Sequence, residues 1–451
     1  MILKFFRRCI NPTIQSNTRL MKQPHHIQGC KSIFATATLL VYSIFLSSGP
    51  VYADIDVAHP TLISEFASFN TPGAIDGRVE AIVTDGDTVY VGGSFTQIHD
   101  PLSDEIIDQP YLFAYSKSSG NIIRSFDPQL NNSVLALATT GEPGGGVFAG
   151  GVFGNLNGEV SRGRFAKIGI DGDRVSGFGA RPNGSVSTMV RLSDTLYIGG
   201  AFSEISGTTI ENLAALNTDT GALDASVSFD FDGVISTDLT QGTLSVQNID
   251  ITSDGRLLAV NGNFLSIDNI SRPRLALIEL EGQARVSTWN TNVFDGDCPS
   301  GTFPNYILGI DISPDDSYLL TSSSGSSLGG EPNCDTAVRF ELDDLSNDDV
   351  QPTWVNYIGG DSVNDIVATD HAVYVGGHFE FVNNDLGTGN SGGPGSQPRQ
   401  GFAALDPKNG LTLLNWRADR SLRGVGTFAL VTDEDGPVSY THLTLPTIYS
   451  V

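Results

Sequence analysis

One short string returns along this chain at nearly even intervals: Tyr90-Val-Gly-Gly-Ser-Phe95, Phe148-Ala-Gly-Gly-Val-Phe153, Tyr197-Ile-Gly-Gly-Ala-Phe202 and Tyr374-Val-Gly-Gly-His-Phe379. Degenerate copies stand at Leu258–Phe264 and Tyr318–Ser324. Each copy belongs to a larger unit. Upstream lies an apolar pair three residues apart: Val79/Ile82, Val134/Leu137, Val186/Met189, Val246/Ile249, Ile307/Ile310 and Val363/Ile366. Downstream comes a short β-like run such as Leu213-Ala-Ala-Leu216 or Phe402-Ala-Ala-Leu405, then a turn, often with Gly, then one aromatic. That aromatic is Phe126, Phe178, Phe229, Trp289, Trp354 or Trp416, so all three tryptophans fall in one slot. A seventh unit opens with Val425/Phe428. The unit recurs about every 58 residues, the length of a four-stranded blade with its loops.

These units predict an all-β fold, a β-propeller of seven blades. The apolar runs are short, rich in β-branched and aromatic residues, and broken by Asp-Gly, Asn-Gly and Thr-Gly turns. Asp85-Gly86 and Asp254-Gly255 fall between the first two runs of their units, where tight hairpins belong. The Gly-Gly pair strips a strand of side chains and lets another backbone approach. No stretch reads as a long amphipathic helix.

The two ends stand outside this pattern. Residues 33–46 are the only long apolar run, too short to span a bilayer comfortably. Lys22 and Lys31 precede it, and Val51-Tyr52-Ala53 offers small residues where a signal peptidase reads. Residues 1–53 are therefore expected to be a secretory signal with an upstream extension, and the exported part not to span the membrane. Val438 to Thr447 is similar to the translation of a transposon-end DNA-sequencing adapter, and residues 448–451 fit an index and a stop in the same frame. Residues 438–451 are expected to be non-native. The propeller is assigned to residues 54–437, with its seventh blade cut before its second strand and an open gap beside it.

The formal charge of the whole chain is −26. Six of the 25 basic residues and none of the 51 acidic ones lie in residues 1–53, so the rest carries 19 against 51, a charge of −32. Nucleic-acid binding needs cations that neutralise phosphates, and this balance excludes it.

The units resemble the Gly-Gly-x-Phe β-propeller repeat family of secreted bacterial proteins, a domain of unknown function. The strings that carry the resemblance are Ile310-Asp-Ile-Ser-Pro-Asp315, Cys334-Asp-Thr-Ala-Val-Arg339, Gln351-Pro-Thr-Trp-Val-Asn-Tyr357, Ala372-Val-Tyr-Val-Gly-Gly-His378 and Gly401-Phe-Ala-Ala-Leu-Asp-Pro407. It covers roughly residues 70–436. The resemblance implies a complete seventh blade and further domains downstream, of polycystic-kidney-disease or carbohydrate-binding type. It implies no activity.

Candidate chemistry is sparse. Cys298 and Cys334 are the two cysteines left after the signal, an even pair in an oxidising compartment. They fall in loops of one unit on one face, and a disulfide between them is expected; a metal pair would lack His or further Cys nearby. There is no Gly-x-Ser-x-Gly elbow and no His-Glu-x-x-His. Asp85-Gly-Asp87, Asp171-Gly-Asp173 and Asp295-Gly-Asp297 look like fragments of calcium loops, yet none completes the spacing that supplies enough oxygens. No cofactor follows beyond that weak hint of calcium. The long polar loop 383–400, with Asp335, Arg339, His378 and Arg399, is the expected ligand face, since long loops on rigid scaffolds carry binding.

The function expected is an exported binding or scaffold module without catalysis. Its partner would be carbohydrate, another surface protein or its own C-terminal domains. The alternative is a secreted hydrolase or lyase using rim carboxylates, or a kelch-like oxidase.

Overall fold

The computed structural model describes residues 62, 70–142, 144–160, 163–235, 242–296, 298, 306–325, 333–389, 391–418, 426–432 and 438–441. The signal assigned to residues 1–53 lies outside the described residues. Those residues are all-β: strands and turns, with no helix and hence none able to cross a membrane.

Each repeat unit forms one antiparallel sheet in chain order. Sheet 1 is Val79–Asp85, Thr88–Gly93 and Leu112–Ser116. Sheet 2 is Val134–Thr139, Val147–Gly151 and Phe165–Ile168; sheet 3 is Val186–Leu192, Thr195–Gly200 and Leu213–Asn217. Sheets 4 and 5 open with Ser245–Ile251 and Tyr306–Ile312, and each gains a fourth strand, Arg285–Val286 and Trp354–Tyr357. Sheet 6 is Val363–Ala368, Val373–Gly377 and Phe402–Leu405. In sheets 1, 2, 3 and 6 a single bridge marks the fourth-strand position, as at Tyr115–Ile122 and Leu405–Thr412.

The first strands pack side by side in sequence, sheet 1 on 2, 2 on 3 and onward to 6. This is the arrangement of a β-propeller, with the first strand of each unit innermost. The strand Thr427–Val431 follows sheet 6 and contacts the first strands of both sheet 6 and sheet 1. Ala429 is buried in the same cluster as Val79, Ile82 and Phe113. The first strand of the seventh unit, expected to precede the cut, thus touches the sheets on either side of it. The second-strand place beside it is taken by Val438–Thr441, from the segment read as non-native. Val438-Ser-Tyr-Thr441 holds three residues of high strand preference, Val438, Tyr440 and Thr441, which suits it to pair along the open edge of the inner strand.

The Gly-Gly pairs end the second strands, and the two glycines do different work. A Cβ on the first would stand 2.6 Å from a methyl of the next sheet's opening residue: Gly92 against Val134, Gly150 against Val186, Gly199 against Val246, Gly376 against Thr427. A Cβ on the second would collide with a carbonyl oxygen at the start of its own sheet, as at Gly93 with Arg78 and Gly200 with Ser185. The motif thus fixes both the spacing between sheets and the bend within one. In sheet 5 Ser322 takes the first place, and Gly309 on the facing inner strand leaves the room instead.

Each inner strand also carries a bulge at its second or third residue, at Glu80, Leu135, Ser187, Gln247, Leu308, Asn364 and Phe428. A bulge increases the local twist, and it returns in all seven strands, Thr427–Val431 included.

Candidate functional site

The four residues expected to form a ligand face do not form an accessible cluster. Asp335 is 1% exposed, in a left-handed conformation with φ of 54°, and its carbonyl oxygen accepts the Ile358 N–H. Arg399 is buried, with its guanidinium donating to the carbonyl oxygens of Pro398 and Leu413. Arg339 lies toward the opposite end of its sheet. It grips Glu341 through two 2.8 Å bonds, donates to the Pro407 carbonyl and stacks 3.8 Å above the Tyr318 ring. Only His378 keeps a substantial solvent face, with Nδ1 3.8 Å from the buried Asp361 carboxylate. The arginines were legible as charges; the backbone carbonyls that take up Arg399, and share Arg339 with Glu341, leave no mark in a sequence.

Cys298 and Cys334 are joined as a disulfide. The register explains why it occurs in sheet 5. Gly200 faces Val186 in sheet 3, and Ser323 faces Ile307 in sheet 5, so Gly325 stands where the motif has its Phe. Elsewhere that Phe is fully buried, as Phe95, Phe153, Phe202, Phe264 and Phe379 are. At Gly325 the Cys298 sulfur lies where a Cβ would be. The disulfide fills the volume that the aromatic fills in the other sheets.

The connection after each Phe builds the second recurrent feature. In units 1, 2, 3, 4 and 6 it folds into a small hairpin: Gln97–Asp100 with Glu105–Asp108, Asn155–Leu156 with Glu159–Val160, Glu204–Ile205 with Thr208–Thr209, Ser266–Ile267 with Ile270–Ser271, and Phe381–Val382 with Gln397–Pro398. Each is rooted by one buried aliphatic: Ile98, Leu156, Ile205, Ile267 and Val382. Four also pair with the segment that enters their own sheet, for example Phe231 with Ile267 and Pro182 with Ile205. All five therefore lie at the end of the sheets marked by the Gly-Gly pairs. Loop 383–400, expected as a polar loop, is in part the sixth-unit hairpin.

Between the third and fourth hairpins is a cleft of about 320 Å³, lined by Thr209, Ile210, Glu211, Phe229, Asp230 and Asp268, with Ser228 beside them. Ile210 and Phe229 are buried, and Asp230 and Asp268 are exposed. The Asp268 carboxylate accepts the Asp230 N–H at 2.8 Å, which fixes the two acids side by side.

The Asp-Gly-Asp segments act as turn locks. The Asp87 carboxylate accepts Ser116 Oγ at 2.6 Å and Ser118 N–H at 2.7 Å, and those bonds hold it below the usual carboxylate range. Asp85 accepts the Gly144 N–H of the next unit, while burial pushes its pKa upward. Asp171 accepts the Asp173 N–H, and Asp173 accepts from Asn157. Asp297 lies outside the described residues.

A set of carboxylates that the motifs did not single out joins the inner strands. Asp250 accepts the Ile312 N–H of sheet 5, Asp311 the Ala368 N–H of sheet 6 at 2.7 Å, and Asp365 the Leu430 N–H at 2.6 Å. Thr188 accepts the Ile249 N–H in the same way at 3.1 Å. An inner strand has one unpaired edge, and these side chains satisfy its N–H groups from the preceding sheet. The signal was present in the repeat, as a polar residue at the third or fifth place counted from the apolar residue that opens each unit: Thr188 from Val186, Asp250 from Val246, Asp311 from Ile307 and Asp365 from Val363.

No protein-family model matches the chain, and no curated protein sequence matches it. Among solved structures it is similar to the computationally designed Ika8 protein, at 12% identity and a TM-score of 0.43, over 80% of this chain and 93% of that one. It is also similar to the extracellular domain of the putative one-component system BT4673 from B. thetaiotaomicron, at 12% identity and a TM-score of 0.42, over 83% of this chain and 38% of that one. A third is the Myceliophteria thermophila Cps50 (Swd1) β-propeller domain, at 9% identity and a TM-score of 0.35, over 67% and 93%. Likenesses this distant carry nothing beyond what the chain's own sheets show.

Proposed function

We propose that the chain is an exported seven-bladed propeller of the Gly-Gly-x-Phe repeat type, closed as a ring, that serves as a binding or scaffold module. The observation that carries this is the row of hairpins at one end, each rooted in the core of a repeating sheet. A rigid scaffold that presents a series of loops at one end is built for recognition. The Cys298–Cys334 disulfide fits an oxidising compartment, as does the expected signal.

Leu62 supports closure. It packs on the cluster of Tyr374, Phe402 and Trp416, together with Leu430 of the seventh unit. Leu223 packs in the same way on the cluster between sheets 2 and 3. A residue that precedes the first unit in the chain thus packs on sheet 6 beside Leu430, as expected if the N-terminal part of the exported chain completes the seventh blade.

The test is binding by the purified exported chain to a glycan array and to proteins extracted from a cell surface. Saturable binding to one class is the expected result. Turnover of a polysaccharide by the isolated chain would overturn the proposal in favour of a secreted hydrolase or lyase.

A further inference from the structure

We infer that the hairpin-bearing end docks a basic protein surface, with a Lys or Arg side chain of the partner entering the cleft between the third and fourth hairpins. This rests on the binding-module proposal and names its site and partner class. Three independent features converge on it.

The first is the kind of apolar surface. Among the described residues every exposed large hydrophobic side chain is aliphatic, and most stand on these hairpins or the segments beside them: Leu102, Ile106, Val160, Val234, Leu265 and Ile270. Val160 is 77% exposed. A sugar ring is bound by stacking its C–H face on an exposed aromatic ring, whereas all three tryptophans here are buried. Scattered aliphatic tips suit the apolar contacts of a protein interface.

The second is charge. Glu159, Glu204, Asp230, Asp232 and Asp268 are exposed on the hairpins and their adjoining strands. Three arginines at the same end, Arg272, Arg274 and Arg399, are buried and donate to the backbone carbonyls of Ser287, Phe294 and Pro398. Arg164 and Arg181 are exposed, Arg164 donating to the Val152 carbonyl. The cleft itself is lined by Glu211, Asp230 and Asp268 and by no basic residue, which favours the approach of a positive partner and orients it.

The third is shape. The cleft has an apolar floor, Ile210 and Phe229, and a rim of Glu211, Asp230 and Asp268. A Lys or Arg side chain lays its methylene stem along such a floor and keeps its charged head at the rim.

The experiment uses the full exported chain and a synthetic peptide alternating lysine and leucine, followed by calorimetry at low and physiological salt. Two variant sets remove carboxylates without removing acceptors: Asp230→Asn with Asp268→Asn at the cleft, and Asp194→Asn with Asp370→Asn in exposed turns at the other end. The cleft set should weaken binding about tenfold and the other set less than about twofold, with the affinity falling as salt rises. Equal weakening by both sets would overturn the inference, because it would assign the affinity to net charge alone. So would equal binding of a glutamate–leucine peptide. Binding to glycans with no binding of the lysine–leucine peptide would overturn the partner class and leave the module proposal standing; polysaccharide turnover would remove both.

Discussion

The carboxylates on the inner strands show how single residues hold this fold together. Asp311 is 8% exposed and accepts the Ala368 N–H of the next sheet. Asp311→Ala leaves that buried donor without the acceptor and should cost about 1–3 kcal/mol in denaturant unfolding, whereas Asp311→Asn keeps an acceptor and should cost less. An Asn variant as damaging as the Ala variant would show that charge, not the bond, matters. Glu80 on the bulge of sheet 1 behaves differently. Burial pushes its carboxyl pKa upward, against a smaller pull from Arg78. A raised carboxyl pKa means that folding favours the protonated form, so stability is lost as pH rises through the folded value. Glu80→Gln should therefore raise the melting temperature at pH 7, and the gain should vanish at acid pH where Glu80 is protonated anyway. Asp315 has the opposite sign. Burial raises its pKa, but bonds from Ser317 and Ser313 outweigh that and hold it low. Its contribution is present at neutral pH and lost as pH falls, so Asp315→Asn should flatten the acid limb of a stability–pH curve that Glu80→Gln leaves in place.

At the level of elements, the sheet that departs from the motif is the informative one. Sheet 5 has Ser322 and Ser323 for the glycines and Gly325 for the phenylalanine, and it holds the disulfide where the aromatic would be. The two cysteines are 36 residues apart, so the chain-entropy model assigns the bridge about 3–4 kcal/mol. Replacing both cysteines by serine should cost that and more, since the vacated volume has no Phe to fill it. Limited proteolysis should cut sheet 5 first in the variant, and uniform cutting across sheets would show that the bridge acts only on the unfolded chain. Much of this was legible in the sequence. The Gly-Gly-x-Phe string marked the second strands, the closing aromatics marked the ends of units, and the cysteine pair followed from its loops. The hairpins after each Phe were not, because Asn155–Leu156 and Ser266–Ile267 are two-residue strands with no period to read. Of the residues expected at a ligand face, Asp335 and Arg399 are buried and His378 keeps a solvent face, a division the sequence did not show. Exposure depends on which polar groups the backbone claims, and that is settled only when neighbouring sheets come together.

For the whole molecule the question is whether the sheets act as a ring or as a row. In an open row of repeats the terminal units have one neighbour each, and they fray. Here the strand Thr427–Val431 touches sheet 6 and sheet 1. Contacts at the two seams include Asp365 with the Leu430 N–H, Asn364 with the Thr427 carbonyl, Arg78 4.8 Å above the Phe428 ring, and Ala429 in one cluster with Val79 and Ile82. If these close the ring, every sheet has two neighbours, and backbone amides in sheets 1 and 6 should exchange hydrogen as slowly as those in sheets 3 and 4. Ala429→Asp places a charge in an apolar seam and removes that equality. In the variant, sheets 1 and 6 should become the fastest to exchange, while sheets 3 and 4 keep most of their protection. A graded protection already present in the unaltered chain, lowest at sheets 1 and 6, would mean that the row is open and that Leu62 does not tie its ends. The same experiment separates a local defect from a global one. A ring that opens at one seam has lost one interface out of the cycle, so the variant should unfold from the seam outward rather than in one step.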